Sequence, residues 1–514
     1  MNEGVLEFLK REREKEWRVE IRSRLKNKER TQLERIPMPE QAPDKRNKNF
    51  SEVNEGLSEE QAVLEASRCL DCPNPTCITG CPVGINIPKF IKKIESGAFL
   101  DAASVLKETN ALPAVCGRVC PQEVQCEQAC FYTQKLKQTP VAIGNLERFA
   151  ADYERNSGKI SIPEISHKNG IKVASIGSGP AGLAFAGDMA KMGYDVTVFE
   201  ALHEIGGVLK YGIPEFRLPN NIVDVEIDNL EKMGVKFVKN FIVGKTATIE
   251  ELKEEGFTAF LVGSGAGLPN FMHIPGENYI GIYSSNEYLT RINLMHAANP
   301  DYDTPVISGK NVAVIGGGNT AMDSVRTAKR LGAERAMIIY RRSIDEMPAR
   351  AEEINHAREE GIEFLNLHNP IEYFADEQGR VNRMKVQKME LGEPDASGRR
   401  RPIPVEGSEY MIDVDTVVVS VGVSPNPLIP QSMKDLDVSA WGTINVDKET
   451  MQTSIPEIFA GGDIVRGGAT VILAMGDGRK AAAAMDRYIK GKVRDILSLI
   501  KEFKTIGEIL DFAR

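Results

Sequence analysis

The sequence predicts an α/β protein in which a helical, cysteine-bearing domain precedes two Rossmann-like domains, the second inserted into the first. Three observations support this fold class. All eight cysteines of the 514-residue chain lie within residues 69–130. Glycine-rich motifs follow β-branched segments at 171–177 and 311–316, and each motif precedes a helical pattern. Segments suited to complete the first motif's site lie on both sides of the second motif, at 262–266 and 459–472.

Bulk composition narrows the function classes. The chain is 42% hydrophobic and 27% charged, as is usual for a globular protein. Its net charge of −9 argues against nucleic-acid binding, which normally uses a basic domain. No stretch reaches the roughly 18 apolar residues that a membrane helix needs, and the N-terminus lacks the apolar centre of a signal peptide. We therefore expect a cytoplasmic protein that binds neither nucleic acid nor membranes.

Changes in composition divide the chain into six predicted segments. They are a charged N-terminal extension (1–45), a helical cysteine domain (46–165), the first part of a dinucleotide domain (166–270), an inserted second dinucleotide domain (271–422), the return to the first (423–490) and a C-terminal helical tail (491–514).

The N-terminal extension is dense in Lys, Arg and Glu. Leu6, Leu9, Trp17 and Ile21 give it only a thin apolar stripe. This pattern predicts a solvated helix followed by an extended arm. Two interpretations stay open, namely an extension lying on the protein's own surface and a helix that docks a partner.

The cysteine spacing indicates metal binding. The first block reads C-x2-C-x4-C-x3-C-P and the second C-x3-C-P-x4-C-x3-C. The first block contains Cys69, Cys72, Cys77 and Cys81, and the second contains Cys116, Cys120, Cys126 and Cys130. Iron–sulfur clusters use such thiolates, and in two-cluster ferredoxins the cysteine after the x3 gap ligates the other cluster. By that rule Cys81 belongs with the second block. Zinc is the alternative, but it favours paired C-x2-C knuckles and only one occurs here.

The first glycine motif is Gly177-Ser-Gly179-Pro-Ala-Gly182. It follows a predicted strand and opens a predicted helix, and the next strand, DVTVFE, ends in Glu200. The glycines allow backbone N–H groups and a helix N-terminus to approach a pyrophosphate, and the acid is placed to bind ribose hydroxyls. Strand, helix and terminal acid together predict a dinucleotide site rather than a turn without a ligand.

The second motif is Gly316-Gly-Gly318-Asn319-Thr320-Ala. Its following strand, AMIIY, ends in Arg341 and Arg342 instead of an acid. Arginine can grip a 2′-phosphate with parallel hydrogen bonds, whereas an acid would repel it. This site is therefore predicted to bind NADP(H), the alternative being a solvated arginine pair.

Two further segments are predicted to complete the first site. Gly263, in VGSGA, ends one strand, and Gly462 and Asp463, in FAGGD, end another. Thr470 and Val471 then open a helix whose N-terminus, if directed at a flavin ring, would stabilise the negative charge of the reduced ring. We interpret the two segments as completing a flavin site, with the NADP domain inserted into the flavin domain, and the alternative of two ordinary strand ends stays open.

Several chemistries find no support in the sequence. No cysteine lies outside the two blocks, so a redox-active disulfide beside the flavin is excluded. None of the six histidines belongs to an HExxH pair, and no GxSxG elbow occurs. We expect the cofactors to carry the chemistry and name no catalytic acid or base.

Over residues 46–490 the sequence resembles the small (β) subunit of NADPH-dependent glutamate synthase. The matching stretches are RCLDCPNPTC, GCPVGINIP, LPAVCGRVCPQ, IGNLERF, IGSGPAGLAFA, GGVLKYGIPEFRLP, GGGNTAMD, YRRS, LGEPDASGRRR and FAGGDIVRG. Three others, YSSNEYLTRINLM, DEMPAR and GGATVILAMG, are similar to the large subunit of electron-bifurcating NADH-dependent ferredoxin:NADP oxidoreductase. The N-terminal region also resembles the iron–sulfur domain of dihydropyrimidine dehydrogenase.

The resemblance implies a set of cofactor ligands. FAD would be held by Gly177, Gly179, Gly182, Glu200, Gly207, Arg217 and Asp463, and NADPH by Gly318, Asn319, Thr320, Arg341 and Arg342. One 4Fe–4S cluster would take Cys69, Cys72, Cys77 and Cys130, and the other Cys81, Cys120, Cys126 and Glu147. Cys116 would then be a spare buried thiol. A simple count of eight thiols for two clusters favours Cys116 instead, with Glu147 as a surface acid.

The function expected from these features is electron input. NADPH would reduce FAD, and two 4Fe–4S clusters would carry single electrons to the large (α) subunit of a glutamate synthase. The alternative is the bifurcating oxidoreductase, with a small subunit resembling ferredoxin–NADP reductase and with ferredoxin as a possible acceptor. A third hypothesis is a scaffold that binds metal and nucleotides without turnover.

Overall fold

Helices form the N-terminal extension. A computed structural model describes residues 3–165, 167–306, 308–395 and 398–512, with side chains described within residues 4–494. Helices α1 to α4 span Glu3–Arg13, Glu16–Ser23, Asn27–Arg30 and Pro43–Arg46. Leu9 and Ile21 are buried, and so are Arg18 and Arg30. Most other residues of α1 and α2 are exposed or half-buried, as predicted for a solvated helix. The burial of the two arginines was not predicted, and it arises because they find partners in the domain that follows.

The cysteine domain is helical, as predicted. Its helices are α5 (Glu59–Ser67), α6 (Thr76–Thr79), α7 (Ile87–Glu95), α8 (Phe99–Lys107), α9 (Pro113–Val119) and α10 (Ile143–Ser157), with a 3-10 turn at Gln122–Val124 and a π turn at Tyr132–Leu136. Helix α7 shows why they form. Ile87, Phe90 and Ile94 recur at helical spacing and are buried, and the side chain of Asn86 caps the first turn.

The first Rossmann-like domain begins with alternating strands and helices. Its elements are β1 (Lys172–Ile176), α11 (Pro180–Lys191), β2 (Asp195–Phe199), α12 (Val208–Tyr211), α13 (Asn220–Lys232), β3 (Lys236–Val238), α14 (Ile249–Glu254), β4 (Phe257–Val262) and β5 (Leu268–Pro269). Strand β1 pairs in parallel with β2 on one side and β4 on the other. Its four residues from Val173 to Ile176 are buried, as their short β-branched run predicted.

The second Rossmann-like domain follows. Its elements are β6 (Ile282–Ser284), α15 (Ser285–Asn293), β7 (Asn311–Ile315), α16 (Asn319–Arg330), β8 (Arg335–Tyr340), a 3-10 turn (Ile344–Glu346), α17 (Ala351–Glu359), β9 (Glu363–Asn366), β10 (His368–Ala375), β11 (Val381–Pro394), β12 (Arg400–Pro404), β13 (Tyr410–Asp413) and β14 (Thr416–Val419). The order of its five-stranded parallel sheet is β6-β14-β7-β8-β9.

An antiparallel sheet within this domain was not predicted. Strand β11 pairs with β10, β12 and β13. The sheet's inner face presents Tyr373, Met384 and Val386, which join Ile315 and Ile339 of the parallel sheet in one hydrophobic cluster. The strands therefore cover one face of the parallel sheet, a position that a helix occupies in the simplest alternating pattern.

The chain then returns to the first domain. The returning elements are β15 (Val423–Ser424), α18 (Leu428–Ser432), β16 (Ile458–Ala460), α19 (Asp463–Arg466) and α20 (Val471–Phe512). Strand β16 pairs with β4 and completes a sheet of order β16-β4-β1-β2-β3. The two crossing segments, β5 and β15, pair with each other. This connectivity confirms the predicted insertion of the second domain into the first.

The cysteine domain and the first Rossmann-like domain share a core. Phe90 and Leu146 of the former lie in one hydrophobic cluster with Phe185 and Met475 of the latter, whereas the second Rossmann-like domain has clusters of its own. The cysteine domain is thus built against α11 and α20. Among the described residues, no helix combines the length and the apolar character needed to cross a membrane.

Candidate functional site

A cavity of about 1730 Å3 lies between the two parallel sheets, at the carboxyl ends of their strands. Dinucleotides bind at this edge in Rossmann-like folds. Every predicted nucleotide-binding residue except Gly182 lines the cavity. They are Gly177, Gly179, Glu200, Gly207, Arg217, Gly263, Gly316, Gly318, Asn319, Thr320, Arg341, Arg342, Gly462, Asp463, Thr470 and Val471.

The first glycine motif is shaped by close backbone contacts. Gly177 has a φ of +103°, and a Cβ there would lie 2.5 Å from the carbonyl oxygen of Gly263. A Cβ at Gly182 would clash with the carbonyl oxygen of Gly177, so Gly182 allows α11 to approach β1. Gly179, at the N-cap of α11, has open space where a Cβ would project. The N-terminus of α11 is therefore accessible to a pyrophosphate.

Glu200 follows β2 and is held beside this motif. Its Oε2 accepts hydrogen bonds from the backbone N–H and the hydroxyl of Ser178, at 2.9 and 2.6 Å. Its Oε1 accepts from the backbone N–H of Leu202 at 2.8 Å. These bonds fix the carboxylate at the cavity wall, where ribose hydroxyls could reach it. Gly207 lies close by, since a Cβ added to it would be 3.0 Å from the Cα of Gly179.

The part of the chain that returns to the first Rossmann-like domain completes the first site. Gly462 has a φ of +79°, and its N–H donates to Asp477 at 3.1 Å. Asp463 accepts a hydrogen bond from the N–H of Ala469 at 2.9 Å. Residues 470–471 begin α20 at the cavity wall. The partial positive charge of this helix N-terminus suits an anionic group, as predicted for a reduced flavin.

The second glycine motif repeats the plan. Gly316 has a φ of +141°, and a Cβ there would clash with the carbonyl oxygen of Ser420. Gly318, at the N-cap of α16, has open space around it. The side chain of Asn319 accepts a hydrogen bond from the N–H of Arg350 at 2.9 Å, which ties the motif to the start of α17. A second helix N-terminus is thus open to the cavity.

Arg341 and Arg342 have different surroundings. Arg342 is 5% exposed, donates from Nη2 to Asp395 at 2.6 Å and from Nε to the carbonyl of Arg400 at 2.8 Å. It therefore braces the β11–β12 hairpin. Arg341 is exposed on the cavity wall, where Arg399 also lies. Arg341 is the better placed of the pair to meet a 2′-phosphate.

Arg217 lies on the cavity wall but bridges the two domains. Its Nη1 donates to both carboxylate oxygens of Asp323 on α16, at 2.7 and 2.8 Å. Its Nε lies 3.0 Å from Glu353 on α17. Although burial opposes ionisation of Glu353, the guanidinium groups of Arg217 and Arg326 lower its pKa to about 2. Arg217 therefore fixes the second domain against the first, beyond the flavin contact that the resemblance implies.

Four thiols form the first cysteine group. Cys69, Cys72, Cys77 and Cys130 line a cavity of about 30 Å3 that apolar side chains of α7 complete. Burial, followed by the nearby thiols, raises the pKa of Cys72 to about 12. Crowded buried thiolates require a metal to neutralise them, so this donor set fits an iron–sulfur cluster. The group is the one that the resemblance implies.

Three thiols and a carboxylate form the second group. Cys81, Cys120 and Cys126 each interact electrostatically with Glu147. Glu147 is 5% exposed, and burial raises its pKa to about 8. Its Oε1 accepts a hydrogen bond from Asn110 Nδ2 at 2.8 Å. Glu147 is thus not a surface acid, and three sulfurs with one oxygen form a donor set that fits a second cluster.

Cys116 lies beside the second group. Its Sγ is 3.7 Å from Asn110 Oδ1 and 3.5 Å from Met475 Sδ. Its thiol also lies near that of Cys120. Cys116 is completely buried. This placement agrees with a spare thiol that packs between the second group and α20.

The second group adjoins the nucleotide cavity. Val119 and Pro121, the chain neighbours of Cys120, both line that cavity. The two cysteine groups are also adjacent, because Cys126 of the second interacts electrostatically with Cys77 of the first. The nucleotide cavity, the second group and the first group therefore follow one another in space.

Comparison with known proteins identifies the family. Residues 171–478 match the pyridine nucleotide-disulphide oxidoreductase family, and residues 46–159 match dihydropyrimidine dehydrogenase domain II, 4Fe-4S cluster. The glutamate synthase (NADPH) small chain of Azospirillum brasilense is 36% identical over 472 residues, which cover 90% of this chain and 97% of that protein. The chain belongs to the glutamate synthase (NADPH) small-chain family.

Two further proteins are similar to this chain, one in sequence and one in fold. The beta subunit of NADP(+)-dependent formate dehydrogenase from Moorella thermoacetica is 38% identical over 437 residues, which cover 80% of this chain and 60% of that protein. Mycobacterium tuberculosis FprA in complex with NADPH shares the fold, with a TM-score of 0.54 at 19% identity over 64% of this chain and 86% of that one. The predicted family, fold class and NADPH-dependent oxidoreductase class are confirmed. Since every cysteine precedes residue 171, this family member has no redox-active disulfide in the matched oxidoreductase region.

Sequence reasoning missed several residues of the sites. Asn110 contacts both Glu147 and Cys116, but nothing in its local pattern sets it apart. Arg399 lies in the quoted stretch LGEPDASGRRR and was not assigned a role, although its basic run could have suggested one. Asp71 sits within the C-x2-C segment and was treated as a spacer.

Proposed function

We propose that this family member is the electron-input subunit of a glutamate synthase. It would oxidise NADPH through FAD and pass electrons through two 4Fe–4S clusters to a larger subunit that makes glutamate from glutamine and 2-oxoglutarate. The observation that carries the proposal is the position of Cys120, whose neighbours Val119 and Pro121 line the nucleotide cavity. A cluster at the second group would lie directly beside a bound flavin.

The chain's own residues would position the nucleotides. The N-termini of α11 and α16 would hold the two pyrophosphates, at Gly179 and Gly318. Arg341 would pair with the 2′-phosphate of NADPH. Arg217 would keep both sites in one cavity by holding α16 and α17 against the first domain. Fixing two reactants in this way supplies much of the entropic part of catalysis.

When bound, NADPH would supply a hydride, FAD would divide the electron pair, and the clusters would carry single electrons. The chain itself determines the order in which the sites lie in space. The second group stands next to the cavity, and Cys77 of the first group stands next to Cys126 of the second. The side chain of Asn110 orients Glu147. No side-chain acid or base is required for this transfer.

A second candidate function uses the same cofactors with another partner. The stretch YSSNEYLTRINLM, similar to the bifurcating oxidoreductase, contains the end of β6 and all of α15, and its residues Ser284, Glu287 and Arg291 are among those that line the cavity. The relative from Moorella thermoacetica is named a formate dehydrogenase subunit, so relatives of this chain serve in more than one kind of complex. The partner therefore decides between the candidates.

The deciding experiment is anaerobic purification of the native complex with mass spectrometry of what co-purifies. A large FMN-containing amidotransferase subunit would establish glutamate synthase. A small flavoprotein with a 2Fe–2S cluster would reject it in favour of the bifurcating oxidoreductase, and ferredoxin would then compete as acceptor. If NADPH failed to bleach the visible absorbance of the purified protein, the scaffold hypothesis would replace both.

A further inference from the structure

Asp71 occupies a strained position between two thiols of the first group. It follows Cys69 by two residues, precedes Cys72, and is completely buried. Its φ is +50°, in the left-handed region that residues with a side chain seldom adopt. Its backbone N–H lies near the sulfur of Cys69. The conformation of Asp71 therefore determines how the C-x2-C segment wraps around the first site.

Three arginines of the N-terminal extension converge on Asp71. Arg18 donates from Nε to both carboxylate oxygens, at 3.1 and 3.0 Å, and also from Nη2. Arg22 donates from Nη1 to the carboxylate at 2.9 Å. Arg13 donates from Nε to the backbone carbonyl of Asp71 at 2.7 Å. We call Arg13, Arg18 and Arg22 the arginine clamp.

The arginine clamp brings an excess of positive charge to the first group. Its three guanidinium groups face two carboxylates, those of Asp71 and Glu14. Arg18 is 3% exposed, so water screens its charge little. Lys92 also reaches this site by donating to the carbonyl of Cys69, and it shares Glu95 with Arg30. The three guanidinium groups of the arginine clamp and their two carboxylate partners therefore leave one positive charge in excess beside the C-x2-C segment.

We propose that the arginine clamp sets both the geometry and the reduction potential of the first cluster. It would hold Asp71 in the left-handed conformation that directs its N–H at Cys69. Its excess positive charge would stabilise the reduced cluster, which carries one more negative charge than the oxidised cluster, and so raise the potential. Electrons would then be drawn from the second cluster, beside the cavity, to the first. This inference rests on the assignment of the first group as a cluster site in the proposed function.

Two substitutions that change the local charge in opposite directions test the proposal. Arg18→Gln removes a positive charge, and Asp71→Asn removes a negative charge while keeping a side chain that tolerates the left-handed region. The full-length protein, purified anaerobically with its clusters, would be titrated electrochemically with EPR detection. We expect Arg18→Gln to lower and Asp71→Asn to raise the potential of the first cluster. Each substitution should change the equilibrium constant for one-electron reduction of the first cluster about tenfold, which corresponds to a shift of about 59 mV in its potential.

The controls separate the clamp from general damage. Arg24→Gln is the matched control, because Arg24 is on the same stretch of chain and pairs with the exposed Glu20; its potentials should equal those of the wild type. Shifts of the same sign in Arg18→Gln and Asp71→Asn, or no shift in either, would overturn the proposal. If Arg18→Gln lost iron, Arg22→Gln would be measured in its place, with the same expected lowering.

Failure of the proposed function would look different. Wild-type protein without two clusters' worth of iron and sulfide would defeat the cluster assignment itself. Two intact clusters whose potentials do not respond to the charge at Asp71 would contradict only the proposed effect of the arginine clamp.

Discussion

The two cysteine groups are neighbours that treat charge in opposite ways. Beside the first group, the carboxylate of Asp71 is paired with Arg18 and Arg22. Beside the second, the carboxyl groups of Glu147 and Glu226 accept hydrogen bonds from neutral amides, and burial raises the pKa of both, that of Glu226 to about 7. The fold thus pairs the carboxylate beside the first group with arginines, whereas it leaves a buried oxygen donor at the second for a metal.

The largest effect should come from removing one group at a time. Cys120→Ser should cost about half of the iron, since one of two 4Fe–4S clusters is lost. NADPH should still reduce the flavin of this variant but not the remaining cluster, because none of the described residues around the first group lines the nucleotide cavity. Stopped-flow absorbance with freeze-quench EPR would measure this.

Cys72→Ser is the matched variant of the first group. It should lose a similar share of iron, keep NADPH-dependent reduction of the second cluster, and fail to reduce the partner. Wild-type rates of reduction of the first cluster in Cys120→Ser would contradict the order of the two sites.

The sequence predicted the two groups unequally well. The thiols follow from spacing, because ligands of one cluster come mostly from short loops. Glu147 came only from the family resemblance, since it lies in the middle of α10, apart from the cysteine blocks, and a glutamate on a helix is usually solvated. The arginine clamp was missed for a related reason. Arg18 and Arg22 lie in a charge-dense helix whose pattern resembles a solvated surface, and their partner Asp71 is remote in sequence.

In the nucleotide domains, too, contacts between segments that are remote in sequence could not be predicted. Positive-φ positions such as Gly177 and Gly316 were predictable, because strand, turn and helix are consecutive in the chain. The role of Arg217 as a bridge to Asp323 was not, because it depends on how one domain docks on the other. Local patterns thus predicted the local geometry, and contacts between segments required the structure.

Arg342 and Arg341 show a similar contrast, because the charge of Arg342 is paired with Asp395 whereas that of Arg341 faces the cavity. Arg341→Ala should weaken NADPH binding by about tenfold to a hundredfold, as expected for the loss of charge-assisted hydrogen bonds worth roughly 1.5–3 kcal/mol. Binding of NADH, which lacks the 2′-phosphate, should be nearly unchanged. Anaerobic titration calorimetry with both nucleotides on holoprotein that has been fully reduced beforehand, so that no hydride is transferred, would measure this selectivity.

Arg342→Ala provides the comparison. It removes the contacts to Asp395 and Arg400 and should loosen the β11–β12 hairpin. We expect it to weaken both nucleotides by similar, smaller factors. An equal loss of NADPH and NADH affinity in Arg341→Ala would refute the 2′-phosphate assignment.

The buried carboxyl group of Glu226 should make the second region sensitive to pH. Burial raises its pKa from 4.5 to about 7 in the folded protein. A carboxyl group with a raised pKa contributes stability that is fully present below pH 4.5 and is lost as the pH rises through 7. Glu226→Gln should therefore gain stability relative to the wild type between pH 5 and pH 8, by about 1–3 kcal/mol. Anaerobic thermal unfolding at both pH values would measure it, and Glu250→Gln, on the exposed side of α14, should follow the wild type.

The smallest effect is expected at the eighth cysteine. If Glu147 is the oxygen ligand of the second cluster, Cys116→Ser should retain the full iron content, because a hydroxyl can replace the thiol beside Asn110 and Met475 with little change in volume. A modest shift in the potential of the second cluster alone is expected, since the polar group near Cys120 changes. Glu147→Ala should lose or convert that cluster. Loss of iron in Cys116→Ser together with its retention in Glu147→Ala would instead make Cys116 the ligand, and the charge contrast between the two groups would disappear.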